Sequence, residues 1–282
     1  MPSNEDILRS APAASFNGAL DKFRHSLSPD RPRSTTASPL KRRYADPEGE
    51  DEHEAEAHTP SSSPSRPPAK RTRSSPSASP SPINLLRDTT PPNLILLLVG
   101  VNPGLLTGRT GFVYAHPSNL YWKLLHGSGL TSRRHPPRDT YRLPALYGLG
   151  NTNLVPRPTR DASMLSRAEL AAGARALEHS VRACRPDAVA LVGKGVWDAV
   201  WRVRRGRGLR RADGFAYGWQ AESENVGVDE PAGWPGAPVF VATSTSGLAA
   251  GMSMAEKLAV WSELGAWVVR RREERGFVPD ES

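Results

Sequence analysis

The chain has 282 residues and carries 37 Lys and Arg against 29 Asp and Glu, a formal net charge of +8 at pH 7. Its single cysteine excludes an internal disulfide and a cysteine-rich metal site, and it favours a reducing compartment. No apolar run approaches the roughly 18–20 residues of a membrane-spanning helix, and the N-terminus lacks the core of a signal peptide. We therefore expect an intracellular protein, away from membranes, with a polyanionic partner.

Residues 1–91 are predicted to form a disordered tail, because stretches such as HTPSSSPSRPPAKRTRSSPSASPSP cannot bury enough apolar surface to offset the entropy lost on ordering. Two basic clusters, KRR at 41–43 and KRTR at 70–73, flank an acidic run. Such clusters are typical of nuclear import signals and of loose DNA contact, although a solvated tail carries similar patterns by chance. We favour nuclear import and expect the protein in the nucleus.

A folded domain is predicted over residues 92–276, followed by a short C-terminal tail at 277–282. Leu94–Val101 is a continuous apolar run, as expected of a central parallel strand that is covered on both faces. Similar runs predict further strands at 187–193 and 237–243, with a candidate at 148–155.

Helices are predicted between these strands. One begins at Ser118, and a second spans Ser166–Cys184, with a capping box formed with Glu169 and a stop before Pro186. The alternation of strands and helices predicts an α/β fold, a three-layer α/β/α sandwich with a central, mostly parallel sheet. The remaining predicted helices are Lys194–Trp201 and Ala255–Arg270.

In such sheets, ligands bind beyond the carboxyl ends of the strands, where the loops 102–118 and 243–251 lie. The first loop opens with Asn102-Pro103-Gly104. Asn-Pro-Gly is ordinary turn chemistry, and turn geometry alone explains it about as well as a functional role does. The functional interpretation uses the amide of Asn102, which offers an acceptor and donors and can orient a water molecule, although it cannot act as a base near neutral pH.

Tyr114 lies later in the same loop, in GFVYAHP. A loop tyrosine of this kind serves core packing as often as ligand stacking, but a planar substrate needs a planar wall, and base–aromatic stacking contributes roughly 1–3 kcal/mol. His116, beside Pro117, is interpreted as a hydrogen-bonded structural residue rather than a catalyst.

The second loop, TSTSGLAAGMS, centres on Ser246, Gly247 and Leu248. It is either a flexible connector or an apolar wedge, because a leucine on a loop of small residues can enter a base stack and kink a duplex.

Residues 202–236 are predicted to form a basic, glycine-rich insertion. The segment opens with RVRRGRGLRR, whose arginines either contact phosphates or remain solvated. The phosphate interpretation assigns DNA contact to Arg202, Arg204 and Arg205.

Six blocks of the sequence, in this order, resemble those of one family. They are VGVNPG, TGFVYAHPSNLYWKLL, TNLVPRPT, SRAELAAGARALE, LVGKGVWDAV and TSGLA, and they extend over most of residues 94–270. The family is that of the mismatch-specific uracil and thymine DNA glycosylases, the group of bacterial Mug and eukaryotic thymine-DNA glycosylase. The resemblance implies the uracil-DNA glycosylase-like α/β/α fold, in agreement with the pattern of elements.

The resemblance also implies roles for individual residues. Asn102 matches the asparagine that positions the hydrolytic water, and Tyr114 matches the aromatic that stacks on the extruded pyrimidine. The backbone at Val101 and near Tyr114 is similar to the part of the pocket that reads the edge of the base. The residues that match the intercalating loop are Ser246, Gly247 and Leu248.

The sequence departs from the family's pattern in the second loop. The bacterial relatives have Asn where Ser244 stands, and Ser or Arg-type residues commonly follow the wedge where Ala249 and Ala250 stand. These departures concern affinity for the emptied site rather than the chemistry. The insertion at 202–236 has no clear counterpart in the bacterial proteins.

The resemblance implies a monofunctional DNA glycosylase that removes uracil or thymine mispaired with guanine from double-stranded DNA and initiates base-excision repair. We expect a monomer without metal or cofactor, and downstream repair proteins as possible partners. The alternative is a catalytically weak module that binds mismatched DNA and recruits repair partners through its tail. Retention of Asn102 in the turn favours the enzyme.

Overall fold

The computed structural model describes residues 82–247 and 251–277. The two basic clusters of the tail, most of the C-terminal tail and Leu248, Ala249 and Ala250 of the second loop lie outside the described residues.

A five-stranded sheet forms the centre of the domain. Its strands stand in the order β2-β1-β3-β5-β4. The first four strands in this order are mutually parallel, whereas the two-residue β4 pairs antiparallel with β5 at one edge. The mostly parallel sheet confirms the predicted fold class. The strands are β1 (Leu96–Gly100), β2 (Leu149–Asn153), β3 (Ala188–Val192), β4 (Gly218–Trp219) and β5 (Val239–Ala242).

Helices cover both faces of the sheet and complete three layers. Leu96 and Leu98 of β1 belong to one apolar cluster, together with Tyr121 and Trp261, whereas Leu97 and Val99 point into the other. This alternation is the period-two pattern of a strand that is buried on both sides. The helices are α1 (Leu105–Thr110), α2 (Tyr121–Gly127), α3 (Leu143–Tyr147), α4 (Arg167–Cys184), α5 (Lys194–Arg205) and α6 (Met254–Glu274).

Capping chemistry fixes the start of both long helices. Ser166 begins α4 through the predicted capping box with Glu169, and Ser253 begins α6 through a second box with Glu256. The predicted cap of α2, Ser118, lies two residues before the observed cap, Leu120. Ser118 bonds His116 instead, and α2 begins at Tyr121, whose backbone N–H donates to the side chain of Asn119.

The folded domain begins earlier than predicted, because residues 83–90 form an N-terminal strap across the α1 side of the sheet. Thr89 exchanges backbone hydrogen bonds with Asn151 of β2, and the N–H of Leu85 donates to the carbonyl of Gly108 at 2.7 Å. A Cβ atom on Gly108 would lie 2.8 Å from the carbonyl oxygen of Ile83, so the close approach of the strap requires glycine there. The predicted tail boundary at residue 91 therefore lies too far into the chain.

The predicted insertion is integrated into the domain over the part that the structure describes. Its first residues extend α5 to Arg205, and its middle supplies β4 to the edge of the sheet. Val226 and Ala237 then form an isolated antiparallel bridge before β5. Among the helices of the described residues, none is both long and apolar enough to cross a membrane.

Candidate active site

Asn102 stands where β1 ends, two residues beyond Gly100. Its side-chain nitrogen donates to the hydroxyl of Thr159 at 2.7 Å and to the backbone carbonyl of Arg157 at 2.9 Å. A third, longer contact of 3.2 Å reaches the carbonyl of Pro103. The amide is therefore fixed from one side by the segment that follows β2.

The surroundings of the amide determine which of its ends is the nitrogen. The hydroxyl of Thr159 donates to the carbonyl of Asp161 at 2.8 Å, so its oxygen is free to accept a hydrogen bond from Asn102. The carbonyl of Arg157 is also an acceptor, and both acceptors demand the NH₂ group. The Oδ1 atom of Asn102 is thus left as an acceptor without a hydrogen bond from the described residues, beside a small pocket that Asn102 lines.

The segment that holds Asn102 is itself anchored to α4. The guanidinium of Arg157 donates to both carboxylate oxygens of Glu169, at 2.7 and 3.1 Å. These hydrogen bonds, together with those from Ser166, lower the pKa of Glu169 to about 2. The capping box of α4 and the support of Asn102 therefore share one carboxylate, which is ionised at physiological pH.

Tyr114 forms an aromatic wall of the same pocket. Its ring lies on that of Tyr121 with centroids 4.1 Å apart and planes 25° apart, so Tyr121 covers one face of the ring. Its backbone is left-handed, with φ +48°, a conformation that few residues other than glycine adopt. Burial raises the pKa of Tyr114, so the phenol stays protonated. His116 bonds Ser118 at 2.7 Å, as the structural interpretation predicts.

Gly100, at the end of β1, leaves room for two polar groups that line the pocket. A Cβ atom built there would lie 2.5 Å from Oδ1 of Asn153 and 2.9 Å from the hydroxyl oxygen of Tyr114. The missing side chain therefore lets both groups approach the end of β1. The pocket is lined by Leu86, Asn102, Pro103, Gly104, Thr107, Val113, Tyr114, Asn151, Thr152 and Asn153.

The backbone predicted to read the base is partly engaged. The carbonyl of Val101 accepts from the N–H of Val155 at 2.9 Å, so it is already committed to the pairing beyond β1 and β2. Ala115 donates its N–H to the hydroxyl of Thr107 at 3.2 Å. The base-binding roles of Val101 and Tyr114 stay predictions.

The two predicted loops meet in the structure. The N–H of Leu120, at the end of the first loop, donates to the carbonyl of Thr245 at 2.9 Å. Lys257 donates to the carbonyl of Ser244 at 2.5 Å, and a Cβ atom on Gly247 would lie 2.4 Å from the carbonyl oxygen of Ser118. The start of the second loop, up to Gly247, is therefore held by contacts with the first loop and α6, whereas Leu248 lies outside the described residues.

The three arginines predicted to contact phosphates lie elsewhere. They occupy the end of α5, which begins at the carboxyl edge of the sheet and runs 12 residues, roughly 18 Å, back along it. Their guanidiniums pair with carboxylates, and their contact with DNA phosphates stays a prediction. Arg202 pairs with Asp198, Arg204 with Glu178 and Glu224, and Arg205 with Glu224.

The sequence assigns no functional role to three residues that line the pocket, Leu86, Asn151 and Asn153, or to Thr159, which holds Asn102. Thr159 and Asn153 were inside the block TNLVPRPT, without an assigned role, and Asn151 directly precedes that block. Leu86 belonged to the predicted tail. The available signal was the cluster of asparagines in β2, because polar side chains are unusual in a strand buried within an α/β sheet.

The comparisons with known proteins agree with this geometry. Residues 87–265 match the family model described as "Uracil DNA glycosylase superfamily". The chain belongs to this superfamily. It is also 36% identical over 186 residues to a Schizosaccharomyces pombe protein named "G/U mismatch-specific uracil DNA glycosylase". That match covers 64% of this chain and 53% of the relative, so the chain spans about half the length of this curated member of the superfamily.

Proposed function

We propose that this protein is a monofunctional DNA glycosylase that hydrolyses the N-glycosidic bond of uracil or thymine mispaired with guanine in double-stranded DNA. One observation carries the proposal: the amide of Asn102 is fixed through its nitrogen, and its Oδ1 atom is an acceptor without a hydrogen bond from the described residues, in a pocket that Tyr114 also lines. Membership of the superfamily supports the reaction class. The printed name of the relative supports the mismatch substrate.

The reaction needs the target nucleotide outside the duplex, where its base stacks on Tyr114. The C1′–N1 bond breaks and its electron pair stays with N1, which gives a base anion delocalised over O2 and O4 and a cation-like sugar. The oxygen of a water molecule then bonds to C1′. That water loses one proton, which neutralises the released base, and the products are the free base and an abasic site.

In this reaction Asn102 acts on the water rather than on the base. Its Oδ1 atom accepts a hydrogen bond from the water and points the water's lone pair at C1′. An amide does not take up the proton near neutral pH, which suits a reaction whose leaving group departs before the water adds. Among the described pocket residues there is no lysine, which supports hydrolysis rather than Schiff-base chemistry.

Asn153 is suited to hold the base by its edge. Its Oδ1 atom lies against Gly100 beside the hydroxyl of Tyr114. An amide at this point offers an acceptor for N3–H and donors for the carbonyl oxygens of uracil. The hydrogen bonds that the amide donates to the carbonyl oxygens strengthen as negative charge develops on the departing base, so they favour the transition state.

In this proposal the second loop serves the extrusion of the nucleotide. Leu248 fills the space that the nucleotide leaves. The preceding residues Ser244 and Thr245 are anchored by hydrogen bonds from Lys257 and Leu120. We further propose that the protein is a monomer and acts in the nucleus. Downstream repair proteins then process the abasic sites that it leaves. The basic clusters at 41–43 and 70–73 support nuclear import.

A cleavage assay tests the proposal. The full chain is incubated with end-labelled duplexes containing G·U, G·T or A·U, and with single-stranded uracil, and strands are resolved on a gel after alkali. We expect cleavage of G·U, with A·U cut more slowly. Tight binding of G·U without any cleavage would instead support the mismatch-binding module.

A further inference from the structure

Asn151, in the middle of β2, has a buried amide nitrogen that no described residue satisfies. The side chain is 3% exposed, and its Nδ2 atom has no hydrogen-bond partner. A buried donor left without a partner costs about 1–3 kcal/mol, so such groups in native proteins call for an explanation.

The neighbour of Asn151 determines the orientation of the amide. The hydroxyl of Tyr121, a fully buried residue, lies 2.6 Å from Oδ1 of Asn151 and has no other recorded partner among the described residues. With the phenol as donor, both its proton and Oδ1 are satisfied, and Nδ2 is the one group left over. The reversed amide would leave both the phenol proton and Oδ1 unpaired, which is the costlier arrangement.

The position of Asn151 relates this donor to the pocket. Asn151 and Asn153 are two residues apart on β2, so their side chains share one face of the strand, roughly 7 Å apart along it. Both line the pocket beneath Tyr114. Asn153 stands at the carboxyl end, and Asn151 stands one step deeper, beside the phenol of the ring on which Tyr114 rests.

We propose that Nδ2 of Asn151 donates a hydrogen bond to O4 of the extruded base, and so selects keto pyrimidines over cytosine. Uracil and thymine carry a carbonyl oxygen at this position, which accepts from the amide. Cytosine carries an amino group there, which would set a donor against a donor and leave both buried without a partner. The inference rests on the proposed glycosylase activity and adds to it a residue that determines specificity.

Tyr121 contributes to this selection as a positioning residue. Its hydroxyl occupies the only acceptor of the Asn151 side chain, so the amide is left with donors alone. Burial keeps the phenol protonated by raising the pKa of Tyr121 well above its ordinary value. The orientation of the donor is therefore expected to hold across the physiological pH range.

The experiment removes the amide of Asn151 from the protein and O4 from the base, separately and together. The reference is the full chain with Tyr121→Phe, and the test variant adds Asn151→Leu, so that neither variant leaves the phenol without its acceptor. Single-turnover rates are measured on two duplexes, one with uracil opposite guanine and one with 2-pyrimidinone, which has hydrogen in place of O4 and no proton on N3. The two variants are compared on each base separately, so the difference at N3 affects both alike. We expect the added Asn151→Leu to slow uracil release about 10- to 100-fold and to slow 2-pyrimidinone release less than about threefold.

An equal factor on both substrates would overturn the inference, because the loss would then not depend on O4. Melting temperatures accompany the rates, and Asn151→Ala replaces the leucine variant in the same background if the latter melts more than about 5 °C lower. Failure of the unmodified chain to release uracil from G·U would contradict the proposed function itself. That result is distinct from a parent that cleaves and a variant that responds equally to both bases.

Discussion

The Nδ2 atom of Asn102 lies 2.7 Å from the hydroxyl oxygen of Thr159, although 57 positions separate them in the chain. The hydroxyl of Thr159 donates a hydrogen bond to the carbonyl of Asp161, so towards Asn102 it acts only as an acceptor. This contact, with that to the carbonyl of Arg157, holds the amide with its oxygen towards the pocket. The proposed water-binding atom is therefore oriented before substrate arrives.

Replacing Asn102 by Ala should slow single-turnover cleavage of G·U about 100- to 1000-fold, the usual loss for a positioned polar group. Binding of the duplex should stay within a few-fold, because the amide acts on water. Gel-shift affinity and single-turnover rate are measured on the same preparation. Cleavage that survives within about tenfold would rule out the role of Asn102.

Thr159→Val and Thr159→Ser form a matched pair. Valine keeps the shape but removes one of the acceptors of Asn102, so the amide is held less firmly, and we expect a loss of about tenfold in the single-turnover rate. Serine retains the hydroxyl and should stay within about threefold of the parent. If the two variants lose activity equally, the hydroxyl does not orient the amide.

Gly100→Ala should obstruct the pocket. The new methyl group would press on the oxygen of Asn153 and on the hydroxyl of Tyr114, and overpacking of this kind costs typically about 1–3 kcal/mol. We expect slower cleavage together with a lower melting temperature. Gly195→Ala in α5 is the control, since a Cβ atom there meets no atom within 4 Å. Unimpaired cleavage by Gly100→Ala would show that base release does not depend on the space beside Gly100.

Two truncations test the strap. Removal of residues 1–81 should leave a folded enzyme whose DNA binding is weaker and less sensitive to salt, because the tail's basic clusters release counterions. Removal of residues 1–91 also deletes the Thr89 pairing with β2 and the Leu86 wall of the pocket, and should lower both melting temperature and rate. Equal stability and activity of the two truncated chains would make the strap dispensable.

Leu248→Ala should lower the single-turnover rate on paired uracil, because the extruded nucleotide loses the residue that fills its place. Ala250→Arg is the contrasting change. It adds a guanidinium that can bond the duplex, so it should slow product release and multiple turnover while the single-turnover rate stays nearly unchanged. A Leu248→Ala variant that cuts as fast as the parent would make the loop a connector only.

Local signals predicted α4 well. The capping box of Ser166 and Glu169 predicts where the helix begins, and Pro186 limits where it ends. All three signals lie within or next to the helix in the sequence. The sequence predicts a loop over the short α1, because its six residues contain Gly108 and have no side-chain cap. Its helical form depends on the strap and Pro158, which pack against Gly108 from distant parts of the chain.

The strap itself shows where composition misleads. Residues 83–90 follow a Ser- and Pro-rich stretch, and nothing local marks Leu85 or Thr89 as part of a sheet. Their partners are Gly108 and Asn151, and the pairing becomes visible only when β2 is in place. Contacts of this range carry no periodic signal in the sequence.

The residues of the site likewise fall into those that the sequence identifies and those that only the structure reveals. Asn102 and Tyr114 were identifiable because they belong to blocks that resemble a family. Thr159 and Asn151 act through hydrogen bonds to residues 57 and 30 positions away, which no local pattern encodes. The arginines at the end of α5 formed a strong local pattern, yet nearby carboxylates already neutralise them.

The backbone of Tyr114 sets a limit on protein engineering. A tyrosine at φ +48° stores strain of order 1 kcal/mol, and glycine or asparagine would relieve it. Either substitution would also remove a ring that packs against the core and stacks on Tyr121, and that loss outweighs the strain it relieves. Position 114 is therefore a poor target for stabilising the chain, although its backbone conformation alone would favour glycine.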